Sequence, residues 1–230
     1  MTNVPQYFIK ESNGSTTIVM AIVTETPKKV SVTASLVYSD HHRFTNLDTG
    51  TTLAEWSIFK VESRHDKRCM LPFDTIILVK GLGIGSLVRN LVVQRAKNIF
   101  ADHSLEPAWL SPEDGGEDNA LRRHHFYENA GFKIDYRNPD TGNGHVKCAD
   151  VGKLKVSWSS TDPFQQVDMA LFIDSLRRSN RQLTSKIQYA EERVERHRNT
   201  LITFKSRYRK HLYASIGVVI FLLLCMSSLL

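Results

Sequence analysis

The first 160 residues carry the hydrophobic pattern of a sheet with two helices inserted near its end. Short runs rich in β-branched and aromatic residues predict strands over 7–9, 16–24, 30–38, 53–61, 73–79, 108–110, 132–136 and 153–158. Amphipathic runs predict helices over 86–103 and 119–129. Since strands come first and strand–helix–strand units follow, the pattern predicts an α+β domain over residues 1–160.

A long helical stalk is predicted next, over residues 161–211. Asp162 suits a helix N-cap and Pro163 a first turn, and no further proline or glycine occurs before Gly217. Two seven-residue series alternate at spacings of three and four: Ile173, Asn180, Ile187, Val194, Leu201, Tyr208; and Leu176, Leu183, Ala190, His197, Phe204, His211. Such spacing is typical of a coiled-coil seam. Two interpretations are open: a parallel homodimer through residues 173–208, or a stalk that packs on the domain of its own chain.

The last 19 residues, Leu212–Leu230, contain no charged side chain, and basic residues stand just before them. At about 1.5 Å per residue they cover roughly 28 Å, close to the hydrocarbon core of a bilayer. We therefore expect a transmembrane tail anchor over 212–230, with membrane lipid as a partner. The positive-inside rule then gives a single-pass membrane protein whose N-terminal domain lies in the cytoplasm. The alternative is a buried core helix.

Composition adds a basic character and argues against a metal site. The formal net charge is +6 and the sequence pI is about 9.2. Much of the basic excess lies after Phe172, beside the predicted anchor, which favours anionic lipid over nucleic acid as its partner. The three cysteines are far apart and odd in number, so they predict neither a disulfide framework nor a metal centre.

The stretch Lys80-Gly81-Leu82-Gly83-Ile84-Gly85-Ser86 lies where a predicted strand meets a predicted helix. Glycine permits a positive φ and a close approach to the backbone. The helix that follows presents unpaired N–H groups and the positive end of its dipole. The stretch therefore suits a pyrophosphate, although a tight strand–helix turn without a ligand has the same glycine pattern.

A second motif, Phe126-Tyr127-Glu128-Asn129-Ala130-Gly131-Phe132, ends the later predicted helix. With the glycine stretch, and with a helix and a strand between them, it makes residues 53–136 resemble the GNAT-type N-acetyltransferase superfamily. The resemblance implies a mixed, mostly antiparallel sheet flanked by helices, and acetyl-CoA as the co-substrate. It also implies a set of acetyl-CoA-binding residues: Val79, Lys80, Gly81, Gly83, Ile84, Gly85, Ser86 and Asn119.

The same resemblance implies catalytic roles. Tyr127 stands where the family commonly has a tyrosine that protonates the leaving thiolate, and its alternative is a core aromatic. Glu62 is the first candidate for the base that deprotonates the acceptor amine, with Glu55 and Asp74 behind it; its alternative is a solvated carboxylate at a strand end. Lys80 replaces the usual Arg or Gln of the family, and the two N-terminal helices that frame the family's acceptor pocket are not evident.

Two functions follow from these observations. The first is a membrane-tethered N-acetyltransferase that moves an acetyl group from acetyl-CoA to an amine of a protein, peptide or small molecule. The second is a catalytically weak interaction or scaffold protein that keeps the acetyltransferase fold. Nucleic-acid binding through the basic stalk is the weakest of the interpretations.

Overall fold

The computed structural model of the chain describes residues 5–62, 66–72, 76–111, 117–139, 142–158 and 164–227. The chain divides into two units, Met1–Met169 and Ala170–Leu230. The domain boundary predicted near residue 160 lies among residues 159–163, outside the described residues. The first unit extends to residue 169 because a short strand after that gap still pairs with the sheet.

The first unit contains ten described strands and two α-helices. The strands are β1 (Pro5–Ser12), β2 (Ser15–Glu25), β3 (Lys29–Ser39), β4 (Thr52–Val61), β5 (Arg68–Met70), β6 (Ile76–Ile77), β7 (Ser104–Leu110), β8 (Lys133–Asn138), β9 (Asn143–Asp150) and β10 (Gln165–Val167). The helices are α1 (Ile84–Phe100) and α2 (Glu117–Glu128). The described residues also form two 3₁₀ turns, at His42–Phe44 and Val151–Lys153.

The strands form one mixed sheet in the order β10-β1-β2-β3-β4-β5-β7-β9-β8, with β6 also paired to β4. Among the described residues, β5 with β7 is the parallel pairing and the other pairs are antiparallel. The first hairpin closes through Asn13 and Gly14, whose φ angles are +50° and +78°. Positive φ at both turn residues matches the twist of the flanking strands, and Asn-Gly adopts it readily.

The core lies between one face of the sheet and helix α1. Along β3, Val30, Val32 and Ala34 are fully buried, and β4 places Trp56 opposite Val32. Alternate residues of a strand point to one face, so these side chains share the face that α1 covers. The polar residues between them, such as Ser31 and Thr33, lie on the other face.

The prediction of a strand over 153–158 is wrong. Residues 151–153 form a 3₁₀ turn, and residues 154–158 form no strand. The backbone there bonds to helix ends and side chains, because Lys155 N–H donates to Ala130 O and Asn90 Nδ2 donates to Ser157 O. The strand that pairs with β7 and β8 is instead β9, and most of it lies over residues 145–150, where the pattern predicts no element.

Within the strand predicted over 73–79, the described residues form a strand only at residues 76–77, and a separate short strand lies before it. The structure has β5 at residues 68–70 and β6 at residues 76–77, while residues 73–75 lie outside the described residues. Leu78 N–H still donates to Leu53 O at 2.7 Å, so the pairing with β4 continues past β6.

The second unit consists of helix α3, which runs from Met169 to Ser227 over 59 residues. The transmembrane helix predicted over 212–230 is wrong: in the part of the chain that the structure describes, no helix is long and apolar enough to cross a membrane. Charged side chains recur along α3 from Asp174 to Lys210, so only its last described residues are free of charge. The single-pass membrane localisation was predicted from that segment, and it is therefore not supported either.

Candidate functional site

The parallel strands β5 and β7 pair over only a short length near the centre of the sheet. Strand β5 pairs with β7 through Arg68–Ser104 and Cys69–Leu105, while the chain continues along β4 through Ile77 and Leu78. Among the described residues, the later part of β7 pairs only with β9 on its other side. The sheet therefore opens between β6 and β7, where strand backbone can pair with an added extended group.

The chain reaches helix α1 from this opening through the glycine turn. Gly81 and Gly83 have φ angles of +82° and +80°, and Gly83 is the N-cap of α1. The first intrahelical bond runs from Leu87 N–H to Gly83 O, so the N–H groups of the first turn have no partner within the helix. Gly81 and Gly83 are exposed, and Ile84 is buried in the core. The turn thus presents its backbone at the surface while Ile84 anchors it.

Gly85 has a different role from the other two glycines. A Cβ placed there would lie 2.8 Å from Ile77 Cδ1 and 3.7 Å from Phe126 Cε2. This glycine therefore allows α1 to approach both β6 and α2 closely. Phe126 in turn packs edge-on against Trp56, with ring centroids 6.0 Å apart. These contacts hold the helix start beside the later of the two motifs.

Three cationic side chains meet at the glycine turn. Arg43 Nη1 donates to Lys80 O at 2.8 Å, Lys10 Nζ donates to Leu82 O at 3.3 Å, and Lys80 Nζ donates to Asn119 Oδ1 at 3.2 Å. They come from the 3₁₀ turn, from β1 and from the turn itself. Backbone carbonyls and a side-chain amide accept these bonds. With the positive end of α1, the three cations make this surface attractive to an anion.

The lowered pKa of His41 is consistent with positive charge near the glycine turn. Partial burial lowers the pKa of His41, and the neighbouring charges of His42, Arg43 and Lys10 lower it further, with Asp40 acting in the opposite direction. In the described ranges, no three His, Cys, Asp or Glu side chains come together as a metal site.

Tyr127 lies in the last turn of α2, with its ring edge-on to two phenylalanines. The ring centroids are 5.2 Å from Phe126 and 5.5 Å from Phe132, and the side chain is half-buried against the core. Phe132 N–H donates to Tyr127 O, which brings the end of the motif back onto the tyrosine. These contacts suit a core aromatic, and the acid role of Tyr127 stays a prediction.

Glu62 lies away from the glycine turn. It follows the last residue of β4, whereas β6 and the turn meet β4 near its start, at Ala54 and Glu55. Glu62 is seven positions after Glu55, which corresponds to about 23 Å at 3.3 Å per residue. Glu62 is exposed and accepts a bond from Lys28 Nζ at 2.5 Å, and this bond lowers its pKa, which makes it a weaker base. Asp74 lies outside the described residues.

Glu55 is the carboxylate that the structure brings to this end of the sheet. It pairs in register with Ile76 of β6 and is half-buried. Its neighbour Trp56 points into the core under α1, so Glu55 lies on the opposite face of the sheet.

The sequence analysis did not identify Lys10 and Arg43 as site residues. It also ranked Glu62 before Glu55, although Glu55 lies at the end of β4 that pairs with β6. The contacts of Lys10 and Arg43 with the turn span 72 and 37 residues, and no local pattern announces them. For the two glutamates the sequence does contain a usable signal. In an antiparallel pair, the end of the later strand lies beside the start of the earlier one, and Glu55 is near the start of β4.

Comparison with known proteins adds no identity, since no protein-family model, curated protein or solved structure matches the chain.

Proposed function

We propose that this protein is an acetyl-CoA-dependent N-acetyltransferase. The observation that carries the proposal is the glycine turn with its three cations at the opening between β6 and β7. The turn offers exposed backbone N–H groups to the pyrophosphate, and Lys10, Arg43 and Lys80 supply the opposite charge. The open strand edge next to it offers backbone pairing to the amide-bearing pantetheine arm.

The reaction would follow ordinary acyl transfer. The neutral amine attacks the thioester carbonyl carbon, a C–N bond forms, and the C–S bond breaks with its electron pair going to sulfur. We assign the proton for the thiolate to the Tyr127 hydroxyl and the proton of the acceptor nitrogen to the Glu55 carboxylate. Glu55 replaces Glu62 in this role because it lies at the same end of β4 as the turn.

Binding is tested by titrating acetyl-CoA into the full-length protein in a calorimeter. Each of Arg43→Met and Lys80→Met should weaken binding about tenfold, because each removes a charge worth on the order of 1–1.5 kcal/mol beside the phosphates. Lys133→Met is the matched control, since Lys133 is exposed on β8. Wild-type protein that binds no acetyl-CoA at millimolar concentration would end the cofactor proposal.

Turnover is tested by thiol release with pooled amines. Glu55→Gln should lower kcat by about 10²-fold, as loss of a general base does, while Glu62→Gln should leave it unchanged. Tyr127→Phe should lower kcat similarly with little change in acetyl-CoA binding. Tyr136→Phe is its control, because the hydroxyl of Tyr136 bonds to His124. Equal effects of the two glutamate variants would contradict the assignment of Glu55.

The second candidate is an interaction protein that keeps the fold without efficient transfer. The observation in its favour is that residues 5–62 contain four strands and one 3₁₀ turn but no α-helix, so the framing helices of the family's acceptor pocket are missing from this stretch. Acetyl-CoA binding without acetyl transfer to any amine of the panel would favour this candidate.

A further inference from the structure

Helix α3 leaves a continuous apolar stripe exposed. The large apolar side chains of its two seven-residue series are all exposed: Ile173, Leu176, Leu183, Ile187, Val194, Leu201, Phe204 and Tyr208. A stripe of this length marks an interaction surface. We propose that residues 173–208 form a parallel, in-register, two-stranded coiled coil with a second copy of the chain.

The residue types of the seam favour two strands. With Ile173 as an a position, Ile187 and Val194 are also a residues and are β-branched, while the first two d residues are Leu176 and Leu183. β-branched a residues with leucine at d pack best in parallel dimers. The continuous helix Met169–Ser227 carries all of these positions without an interruption.

Asn180 argues for a parallel and in-register pair. It occupies an a position between Ile173 and Ile187, so its amide enters the seam. In a parallel dimer it meets the Asn180 of the second copy, and the two amides can donate to and accept from each other. In a fully overlapped antiparallel pair it would face Phe204, which leaves its polar group unpaired in the seam.

The charges beside the seam distinguish the orientations as well. In the parallel pair Lys186 at g faces Glu191 at e of the second copy, twice per dimer, and Arg193 faces Arg198. In the overlapped antiparallel pair the positions near the centre face their own copies, so that Glu191 opposes Glu191 and Arg193 opposes Arg193. The parallel arrangement therefore has one attractive pair, Lys186 with Glu191, and one like-charged pair, Arg193 with Arg198, whereas both of these antiparallel pairs are like-charged.

The oligomeric state of the full-length protein tests the seam. Sedimentation equilibrium should give twice the chain mass of 26.2 kDa. Ile187→Glu should produce a monomer, because it puts two like charges into the seam. Gln188→Glu adds the same charge at the neighbouring b position and should leave the dimer intact. A wild-type monomer at tens of micromolar, or a trimer, would overturn the proposal.

Cysteine cross-linking tests the orientation, in a Cys225→Ser background. Asn180→Cys should form a covalent dimer within minutes under mild oxidation, since the two copies of residue 180 meet in the parallel pair. Ser185→Cys lies at the outward f position of the same heptad and should stay uncrosslinked. If Asn180→Cys fails to cross-link while Ile187→Glu still dissociates the wild-type dimer, the pair is not parallel and in register.

Discussion

Leucine has opposite environments in the two units of this chain. Leu53 on β4 is fully buried, whereas Leu201 on α3 is 68% exposed. In the first unit a sheet face and α1 cover each other, which is the usual way to bury an apolar surface. A single helix has no second layer within its own unit, so its apolar stripe stays open. The first unit therefore carries its own stabilising contacts, and α3 needs contacts from elsewhere.

Arginine shows the same contrast. Arg89 on α1 is 1% exposed and donates to Phe126 O at 2.6 Å and to Ser157 Oγ at 3.1 Å. Burial lowers its pKa to about 10, so it remains charged at neutral pH. On α3, by comparison, Arg177 approaches Asp174 at 3.8 Å on the exposed surface. A buried cation with several acceptors holds α1, the end of α2 and residue 157 together, while an exposed pair contributes little.

The largest expected effect tests the leucine comparison directly. Leu53→Ala should lower the free energy of unfolding by about 2–5 kcal/mol, because it leaves a cavity in the core. Leu201→Ala should change the stability of the first unit by less than about 0.5 kcal/mol. Urea denaturation followed by tryptophan fluorescence measures this, since Trp56, Trp109 and Trp158 all lie in the first unit. Similar losses for the two variants would break the comparison.

The next test compares a buried and a partly exposed arginine of helix α1, Arg89 and Arg95. Arg89→Met should cost about 2–3 kcal/mol of unfolding free energy, because Phe126 O and Ser157 Oγ lose their buried donor. Arg95→Met is the matched control: Arg95 pairs with Glu25 at 3.4 Å on a partly exposed surface and should cost less than about 1 kcal/mol. Urea denaturation measures both, and a neutral Arg89→Met would mean that the buried acceptors find other donors.

The smallest expected effect separates the turn from an ordinary glycine bend. Gly83→Ala and Gly14→Ala should each cost about 1–2 kcal/mol of unfolding free energy, because both glycines have φ near +80° and neither meets a close neighbour. Only Gly83→Ala should also weaken acetyl-CoA binding in the calorimeter. If Gly14→Ala weakened binding equally, the effect would come from general destabilisation and not from the turn.

Much of the candidate site could be predicted from local sequence. The alternation of Gly81 and Gly83 before an amphipathic run predicts a turn and a helix start, and the structure has both, with α1 beginning at Ile84. The bond between Lys80 and Asn119 joins two residues that the resemblance had assigned to one site. Lys10 and Arg43 could not be predicted, because their positions depend on how β1 and the turn after β3 pack against the glycine turn.

The errors have physical causes as well. The transmembrane prediction follows from the apolar run alone, whereas in the described part of the chain no helix is long and apolar enough to cross a membrane. The strand predicted over 153–158 has suitable residues, but side chains of α1 and the end of α2 take its hydrogen bonds. The base role of Glu62 rests on the family, in which its strand lies beside the cofactor strand, and stays a prediction; β6 pairs with the opposite end of β4.

By itself, the sequence determined the features that depend on neighbouring residues: the Asn13-Gly14 hairpin, the left-handed glycines before α1, and a long uninterrupted helix with a seven-residue repeat. Their physical basis is local, in allowed φ and ψ angles and in short periodicities. The tertiary structure alone decided the strand order, the opening between β6 and β7, the meeting of three cations at one turn, and the pairing of Glu55 with Ile76 of β6. These depend on which distant faces bury one another, and no short stretch of the chain encodes that choice.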